Sequence, residues 1–439
     1  YQPALDGVRA LAVGAVLLFH AGTPGFGGGY LGVSVFFTLS GYLITSLLVT
    51  EFNRSGDIGL GAFYGRRIRR LMPASIAVIV AVTALASLTD EFDAVRQLRA
   101  HVIGSLFQVV NWVLLAGGDS YQDLFARANG TSSPLEHFWS LAIEEQFYWV
   151  WPPVLALLLS RRRSNRQLVI SVLAITVAFM AMAPIIAIVW GADAAYWATP
   201  ARLGEILAGA GLAVVFTGPV DPRWRHAVLP SLGLLGVAVV TFPASGGPAY
   251  AGALPVVAIV SAALLAGLQV DSRARRVISA APLRAVGQVS YGLYVYHFPI
   301  YLIMDADRLG VDGVMLTVAR LAATGVVAAL SFHLLETPIR QARISWRPTM
   351  GYATAATASV ALLALGALPP PSPGYWDLSR AELATAAIEL DAESFEPLVW
   401  SGGADDISAS ADPAISRPAR ILVTGDSTAG ALGAGIVLW

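Results

Sequence analysis

The stretch that decides the fold is the first apolar segment, Pro3 to Ala21, PALDGVRALAVGAVLLFHA. It is long enough to cross a bilayer as a helix, yet it contains Asp6, Arg9 and His20. Arg9 and His20 lie about three helical turns apart, so their side chains share one face, about 16 Å apart along the axis. Ionisable groups in a membrane helix are costly and usually face a cavity or a partner, which indicates a polar path through the membrane.

A simpler interpretation of these two residues stays open. Arg9 can extend to one membrane surface and His20 to the other, so that each only marks an end of the span. Their shared face, with Asp6 one turn from Arg9, favours the functional interpretation.

The composition of the whole chain is that of a polytopic membrane protein. Of its 439 residues, 56% are hydrophobic and only 13% are charged, which is far less charge than a soluble domain has. The chain contains no cysteine, which excludes disulfides, thiolate metal sites and thiol catalysis within it. Its net charge of −1 identifies no partner.

The apolar windows of the chain each approach the roughly 20 residues that a spanning helix needs. Eleven are found, at about 4–22, 31–50, 73–89, 138–159, 168–190, 200–217, 227–243, 253–268, 287–304, 313–335 and 349–368. A further run near 100–116 is shorter and is interrupted by His101, Gln108 and Asn111, so we expect a re-entrant or interfacial helix there.

Arginine is divided unevenly between the loops that join these windows. When the run at 100–116 is not counted as a span, the loops on one side hold eighteen arginines and the opposite loops only a few. The positive-inside rule then predicts a cytoplasmic N-terminus. Because the number of spans is odd, the C-terminal region is predicted to lie outside the cytoplasm.

The composition changes abruptly after Leu368. The sequence PPPSPG at 369–374 predicts a stiff linker, and the residues up to Arg420 are polar and acidic. Residues 421–439 then have the pattern of a buried strand, a tight turn and the start of a helix, so we expect the beginning of a larger extracytoplasmic domain that is cut off. Ser427 lies in the turn and is a candidate nucleophile, but the last histidine before it, His333, is in the membrane part.

Two motifs place charged groups at or inside membrane helices. The basic run RRIRRLMP at 66–73 suits a topology signal with lipid-headgroup contact, or a site for a phosphorylated ligand. Glu144 and Glu145, in HFWSLAIEEQFY at 137–148, lie well inside an apolar helix. Since adjacent helical residues point about 100° apart, we expect one carboxylate to face a cavity and the other to bond a neighbouring helix or arginine.

Other polar groups and glycines occur along the remaining windows. Arg202 and Glu205 are one turn apart and are predicted to form an ion pair, and the glycines of residues 27–41 predict close helix packing. His297, Arg320 and Glu336 are each explained by a structural role when taken alone. Together, these groups are too many for a purely structural bundle.

These motifs, taken in order, resemble the acyltransferase-3 family of membrane O-acyltransferases, joined to an SGNH-type domain. The motifs that carry the resemblance are Arg9-x10-His20, Arg66-Arg67-x-x-Arg70-x-x-Pro73, WSLAIEEQFY at 139–148, SYGLYVYHFPI at 290–300 and FHLLETPIR at 332–340. GDST at 425–428 resembles the first SGNH block. One departure is Ser34, where the family commonly has aspartate.

The resemblance implies an all-α polytopic membrane fold followed by the start of an α/β SGNH-hydrolase-like domain. The implied domains are an acyltransferase core of ten helices at 1–347, an extra transmembrane helix at 348–368, an extracytoplasmic linker region at 369–420 and a truncated SGNH-like domain at 421–439. The implied location is the bacterial cytoplasmic membrane, with lipid as a partner.

The implied activity is transfer of an acyl group, such as acetyl or succinyl, from cytoplasmic acyl-CoA to a hydroxyl of an envelope glycan. No metal and no nucleic acid is expected. His20 is expected to act as general base or acyl carrier. The other catalytic candidates are Arg9, Glu144 and Glu145, and the candidates for binding the phosphates of CoA are Arg66, Arg67, Arg69 and Arg70.

Two other functions fit parts of the sequence. A transporter or flippase of a lipid-linked sugar would also need a polar path, although no internal repeat is visible. A surface esterase would use the membrane part only as an anchor, which the charges inside the membrane windows argue against.

Overall fold

The computed structural model describes residues 2–95, 97–117, 132–162 and 164–370. Within these ranges the regular structure is entirely helical, with no β-strand. The predicted start of an SGNH-like domain, with Ser427, lies outside the described residues, as does nearly all of the predicted linker region.

The described residues form a bundle in which long helices alternate with short helices and loops. Its α-helices are α1 (Pro3–His20), α2 (Gly32–Ser55), α3 (Leu60–Leu88), α4 (Leu98–Leu106), α5 (Val110–Ala116), α6 (Phe138–Arg161), α7 (Asn165–Trp197), α8 (Thr199–Val215), α9 (Val228–Thr241), α10 (Leu254–Gly267), α11 (Arg273–Ile278), α12 (Ala281–Gln288), α13 (Ser290–Ile303), α14 (Ala306–Leu309), α15 (Gly313–Ser331), α16 (Thr337–Gln341) and α17 (Trp346–Ala367).

The predicted all-α polytopic membrane fold is confirmed. Eight helical stretches of the described residues are long and apolar enough to cross a membrane, and they include α1, α2 and α3. The other three predicted windows are also helical, as α6, α8 and α13. α8 and α13 are shorter than the eight, with 17 and 14 residues.

The run near 100–116 forms the two short helices α4 and α5, of nine and seven residues. The helical conformation is interrupted between them at Gln108, whose φ of 58° does not belong to a right-handed helix. Neither helix is long enough to cross a membrane, in agreement with the prediction. Asn111 of α5 is fully buried and donates hydrogen bonds of 3.0 Å to the Trp197 carbonyl and the Thr199 hydroxyl, which joins α5 to the α7–α8 corner.

Prolines inside the long helices release carbonyl groups that side chains of other helices then satisfy. Proline has no N–H, so the carbonyl four residues before it loses its helical partner. Pro153 in α6 releases the carbonyl of Trp149, which accepts a 3.0 Å hydrogen bond from the Tyr64 hydroxyl of α3. Pro299 in α13 likewise releases the carbonyl of Val295, whose partner belongs to the site described below.

Glycines allow α2 and α8 to approach each other closely. A Cβ atom added at Gly41 would overlap the carbonyl oxygen of Ile206, and one added at Gly209 would overlap the carbonyl oxygen of Thr38. Since both neighbours are backbone atoms, no side chain can rotate away. The two helices therefore meet at their backbones, as the glycines of α2 predict for a membrane helix.

Gly209→Ala is expected to destabilise the protein, by about 1–3 kcal/mol, because the α2 and α8 backbones must separate to admit the methyl group. Thermal unfolding in detergent, followed by tryptophan fluorescence, measures the change. The control is Gly236→Ala in α9, where an added Cβ meets no atom within 4 Å. Equal melting temperatures for the two variants would contradict the close contact between α2 and α8.

Candidate functional site

A cavity of about 1040 Å³, including its open mouth, lies between α1, α2, α3, α6, α13 and the segment that joins α15 to α16. Apolar and aromatic side chains form much of its wall, among them Phe36, Phe37 and Leu43 of α2. The charged side chains in the wall are Arg9, Arg67, Arg70, Glu144, Glu336 and Arg340. Four guanidinium groups and two carboxylates therefore face one space inside a membrane bundle.

Two of these arginines have carboxylate partners. Arg9 Nη1 is 3.2 Å from Asp6 Oδ1 on the same helix, and Arg67 Nε is 3.4 Å from Glu145 Oε1 of α6. Asp6 and Glu145 do not form part of the cavity wall. In each pair the guanidinium group therefore lies in the cavity wall, and its carboxylate partner lies outside the wall.

Arg70 differs from these two arginines. It is exposed in the cavity, and among the described residues no carboxylate lies within ion-pair distance of it. Arg9, Arg67 and Arg340 all repel it electrostatically. An anion that enters the cavity would relieve this repulsion, so the cavity favours a ligand with negative charge.

The adjacent carboxylates of α6 face different surroundings, as their 100° separation predicts. Glu144 lies in the cavity wall, while Glu145 pairs with Arg67. The Tyr148 hydroxyl donates to Glu144 Oε2 at 3.1 Å and also bonds the Ser40 hydroxyl of α2. The Arg67 guanidinium carbon lies 3.0 Å from the centre of the Tyr148 ring, which stacks the basic motif of α3 on α6.

The four arginines of the basic motif separate into two pairs. Arg67 and Arg70 line the cavity, whereas Arg66 and Arg69 do not. Arg66 is half exposed and lies 3.5 Å from Glu51. Arg69 donates to the Thr349 hydroxyl at 2.8 Å and to the Ile344 carbonyl at 3.0 Å, so it attaches α17 to α3.

His20 lies outside the cavity wall, in a cluster with two other histidines. His20 Nδ1 is 3.1 Å from Nε2 of His297, in the middle of α13. The ring of His137, just before α6, is 5.3 Å from the ring of His297 between centroids. His137 Nε2 donates to the Val295 carbonyl at 2.9 Å, the group that Pro299 releases. Three helices therefore meet at these rings, which we call the histidine cluster.

Tyr294 joins the cavity to the histidine cluster. Its side chain is part of the cavity wall, and its ring centroid is 5.5 Å from that of His297 and 5.6 Å from that of His137. Its hydroxyl donates to the His137 carbonyl at 3.0 Å and bonds the Ser140 hydroxyl at 2.7 Å. Arg9 and His20 share one face of α1, but Arg9 faces the cavity and His20 lies beyond Tyr294.

Several residues in the wall were not predicted as site residues. Glu336 ends the short π-helical segment Phe332–Glu336 that joins α15 to α16, Arg340 lies in α16, and Tyr291 and Tyr294 come from α13. Glu336 is 7% exposed and accepts a 3.1 Å hydrogen bond from the Ser331 hydroxyl. A signal was present in the spacing of Glu336 and Arg340, one helical turn apart beside an apolar window.

The predicted ion pair of Arg202 and Glu205 is confirmed. Their closest atoms are 2.5 Å apart, and both side chains are buried. The guanidinium group lies over the rings of Phe37, Trp139 and Tyr196. Neither residue lines the cavity, so the pair belongs to the packing of α8.

Ser34, the departure from the family pattern, is fully buried near the start of α2. Its hydroxyl has no hydrogen-bond partner among the described residues, while its carbonyl accepts a 3.0 Å bond from the Thr38 hydroxyl. As for metals, no group of three or more His, Asp or Glu side chains in the described part of the chain is arranged to hold one.

Comparison with known proteins gives a consistent set of relatives. A family model described as an acyltransferase domain matches residues 2–336. The peptidoglycan O-acetyltransferase OatA of Listeria monocytogenes is 36% identical over 354 residues, which cover 78% of this chain and 56% of that protein. The putative peptidoglycan O-acetyltransferase YrhL of Bacillus subtilis is 33% identical over 77% of this chain and 55% of that protein. The O-acetyltransferase OatA of Staphylococcus aureus is 32% identical over 78% of this chain and 57% of that protein.

The chain spans about half the length of these curated relatives. A comparison with solved structures gave no significant match.

Proposed function

Because this chain belongs to the acyltransferase-3 family, we propose that it transfers an acyl group, most simply acetyl, from a coenzyme A thioester to a hydroxyl of a cell-wall glycan. The names of the relatives support acetyl as the group and peptidoglycan as the acceptor class. The observation that carries the proposal is the arginine-lined cavity that meets the histidine cluster at Tyr294.

The cavity is the proposed donor site. Coenzyme A is a polyanion with a long, largely uncharged arm, and guanidinium groups bind phosphate oxygens through charge-assisted hydrogen bonds. Arg67 and Arg70 are the residues of the basic motif in the wall, and we assign the phosphates to them. Arg9, also in the wall and held by Asp6, would contact the arm or the thioester.

His20 is the proposed reacting group. As a general base, it takes the proton of the acceptor hydroxyl while that oxygen attacks the thioester carbonyl carbon. The C–S bond then breaks, and the thiolate of coenzyme A leaves with the electron pair and is protonated. As a carrier, His20 instead attacks the thioester carbonyl carbon itself, and the C–S bond breaks with loss of the coenzyme A thiolate. The acceptor oxygen later attacks the acyl group, the C–N bond to the imidazole breaks, and the hydroxyl proton passes to the nitrogen that is freed. Both routes need a lone pair on the imidazole nitrogen that reacts.

The topology proposed for this chemistry has the N-terminus in the cytoplasm of a bacterial cell, where acyl-CoA is made. Arg67 and Arg70 then lie at the cytoplasmic end of α3, and His20 lies at the opposite end of α1. The donor would enter from one side, and the glycan would approach the histidine cluster from the other.

A flippase for a lipid-linked sugar remains the second candidate, because a polar cavity between helices also suits a transport path. The arrangement at Glu144 favours the enzyme. Glu144, Tyr148 and Ser40 are fixed to one another by hydrogen bonds, which suits a site that holds reacting groups in place.

The test is thiol release by the purified chain in lipid nanodiscs. Because the chain has no cysteine, a thiol reagent detects only the coenzyme A that is set free. We expect acetyl-CoA to yield thiol at a rate that rises when a soluble peptidoglycan fragment is added, with acetyl appearing on the fragment by mass spectrometry. Empty nanodiscs are the control. Movement of a lipid-linked glycan without any thiol release would instead identify a flippase.

A further inference from the structure

The histidine cluster contains hydrogen bonds that determine which nitrogen of each ring carries a proton. His297 Nδ1 lies 2.6 Å from the carbonyl oxygen of Tyr294. A carbonyl oxygen only accepts, so this nitrogen must be the donor. A neutral His297 ring then has its lone pair on Nε2, the nitrogen that faces His20 Nδ1 at 3.1 Å.

The neutral form of the His297 ring follows from its surroundings. Its side chain is fully buried, and its closest rings are those of two further histidines, 4.9 and 5.3 Å away between centroids. A positive charge there would be desolvated. His137 is also buried, and its Nε2 donates to the Val295 carbonyl, so a neutral His137 ring has its lone pair on Nδ1.

The contact between His20 and His297 therefore has one direction: His20 Nδ1–H donates to His297 Nε2. The Val16 carbonyl, also 3.1 Å from His20 Nδ1, favours the same proton position. Val16 belongs to the helix of His20 itself, whereas His297 adds an acceptor from α13. The lone pair of the neutral His20 ring is consequently on Nε2.

We propose that His297 is a positioning residue for His20. It accepts the Nδ1 proton of His20, keeps the lone pair on His20 Nε2, and holds the ring at a fixed angle between α1 and α13. When His20 Nε2 gains a proton or an acyl group, the ring becomes positive, and its hydrogen bond to the His297 lone pair becomes charge-assisted. His297 thus serves His20 as the third group of a triad serves its base, with a neutral ring in place of a carboxylate.

This proposal rests on the proposed function, because it assigns His20 as the reacting group. Its test pairs His297→Leu, which removes the acceptor, with His297→Gln, whose Oε1 can still accept from His20 Nδ1. We expect the leucine variant to lower kcat about 10- to 100-fold, the effect of one lost hydrogen bond to a charged group. The donor KM should change little, because His297 does not line the cavity. The glutamine variant should recover most of the lost kcat.

The control for lost stability is Asn111→Leu, which removes buried hydrogen bonds between α5 and the α7–α8 corner and none of those in the histidine cluster. It is expected to lower the melting temperature and to leave kcat unchanged. If His297→Leu and His297→Gln lower kcat equally, or if Asn111→Leu lowers kcat as much as His297→Leu, His297 has only a structural role and the proposal is overturned.

A second measurement does not depend on activity. Solid-state NMR of ¹⁵N-histidine-labelled protein in lipid, with His20→Gln used to assign the signals, reports which nitrogen of His20 is protonated. We expect protonation at Nδ1 in the wild-type chain and a shift toward Nε2 in His297→Leu. Protonation of wild-type His20 at Nε2 would overturn the proposal even if acyl transfer is confirmed. If transfer is absent but Nδ1 is protonated as expected, it is the proposed function that fails.

Discussion

His20→Ala is expected to lower acyl transfer by about 100- to 10,000-fold, the range that general acid–base catalysis supplies. The fold should survive, because His20 is the last residue of α1 and the apolar core of that helix is untouched. Thiol release from acetyl-CoA in the presence of a glycan fragment measures the loss. If His20 carries the acyl group, the loss is complete, and wild-type protein treated with acetyl-CoA alone shows one added acetyl group in its intact mass.

The control for this experiment is His226→Ala. His226 is an exposed histidine in the 3-10 helix Pro222–Ala227, remote in sequence from the motifs of the cavity. The His226→Ala variant should transfer acetyl at the wild-type rate. A folded His20→Ala variant that also transfers acetyl at the wild-type rate would remove His20 from the mechanism.

The second large effect is expected at Arg70. Arg70→Gln should raise the KM for acetyl-CoA about 10- to 100-fold, because a hydrogen bond to a charged group contributes about 1.5–3 kcal/mol. Arg70 is exposed in the cavity and has no carboxylate partner among the described residues, so its charge is free for a ligand. Initial rates at varied acetyl-CoA concentration measure the change.

Arg66→Gln is the matched control from the same motif. Arg66 is half exposed, lies outside the cavity wall and is paired with Glu51, so its loss should change the KM for acetyl-CoA by about twofold or less, as expected of an exposed ion pair. If Arg66→Gln and Arg70→Gln raise KM equally, the basic motif acts as a general positive surface, and the cavity is not the donor site.

The contrast between these two arginines shows what the sequence could and could not predict. The run RRIRRLMP marks a basic helix end, and its four arginines spread over about 160° of the helix face. Periodicity alone does not say which part of that arc faces a cavity. The packing of α3 against α6 and α17 determines which arginines face the cavity. In this packing Arg67 forms an ion pair with Glu145, and Arg69 donates a hydrogen bond to Thr349.

Short-range patterns were the most informative. The ion pair of Arg202 and Glu205 follows from their spacing within one turn, and the split of Glu144 and Glu145 follows from adjacent positions on a helix. The shared face of Arg9 and His20 is of the same kind. These inferences need only helix geometry, and they survived because the helices are regular there.

Contacts between residues far apart in the chain could not be predicted from the sequence. His297 is 277 residues from His20, and nothing in the local pattern of α13 identifies it as the residue that meets the end of α1. Glu336 and Arg340 were missed for the same reason, since only the packing of the chain beyond α15 brings them to the cavity. The histidine cluster and the cavity are both products of tertiary packing.

The measurement that tests the central claim most directly is the mass of cell-wall glycan fragments from the bacteria that produce this protein. Cells that lack the protein should lose one acyl mass from a defined glycan fragment, wild-type protein should restore it, and His20→Ala, present at the same level in the membrane, should not. Glycan fragments of unchanged mass in cells that lack the protein, or full restoration by His20→Ala, would contradict the account.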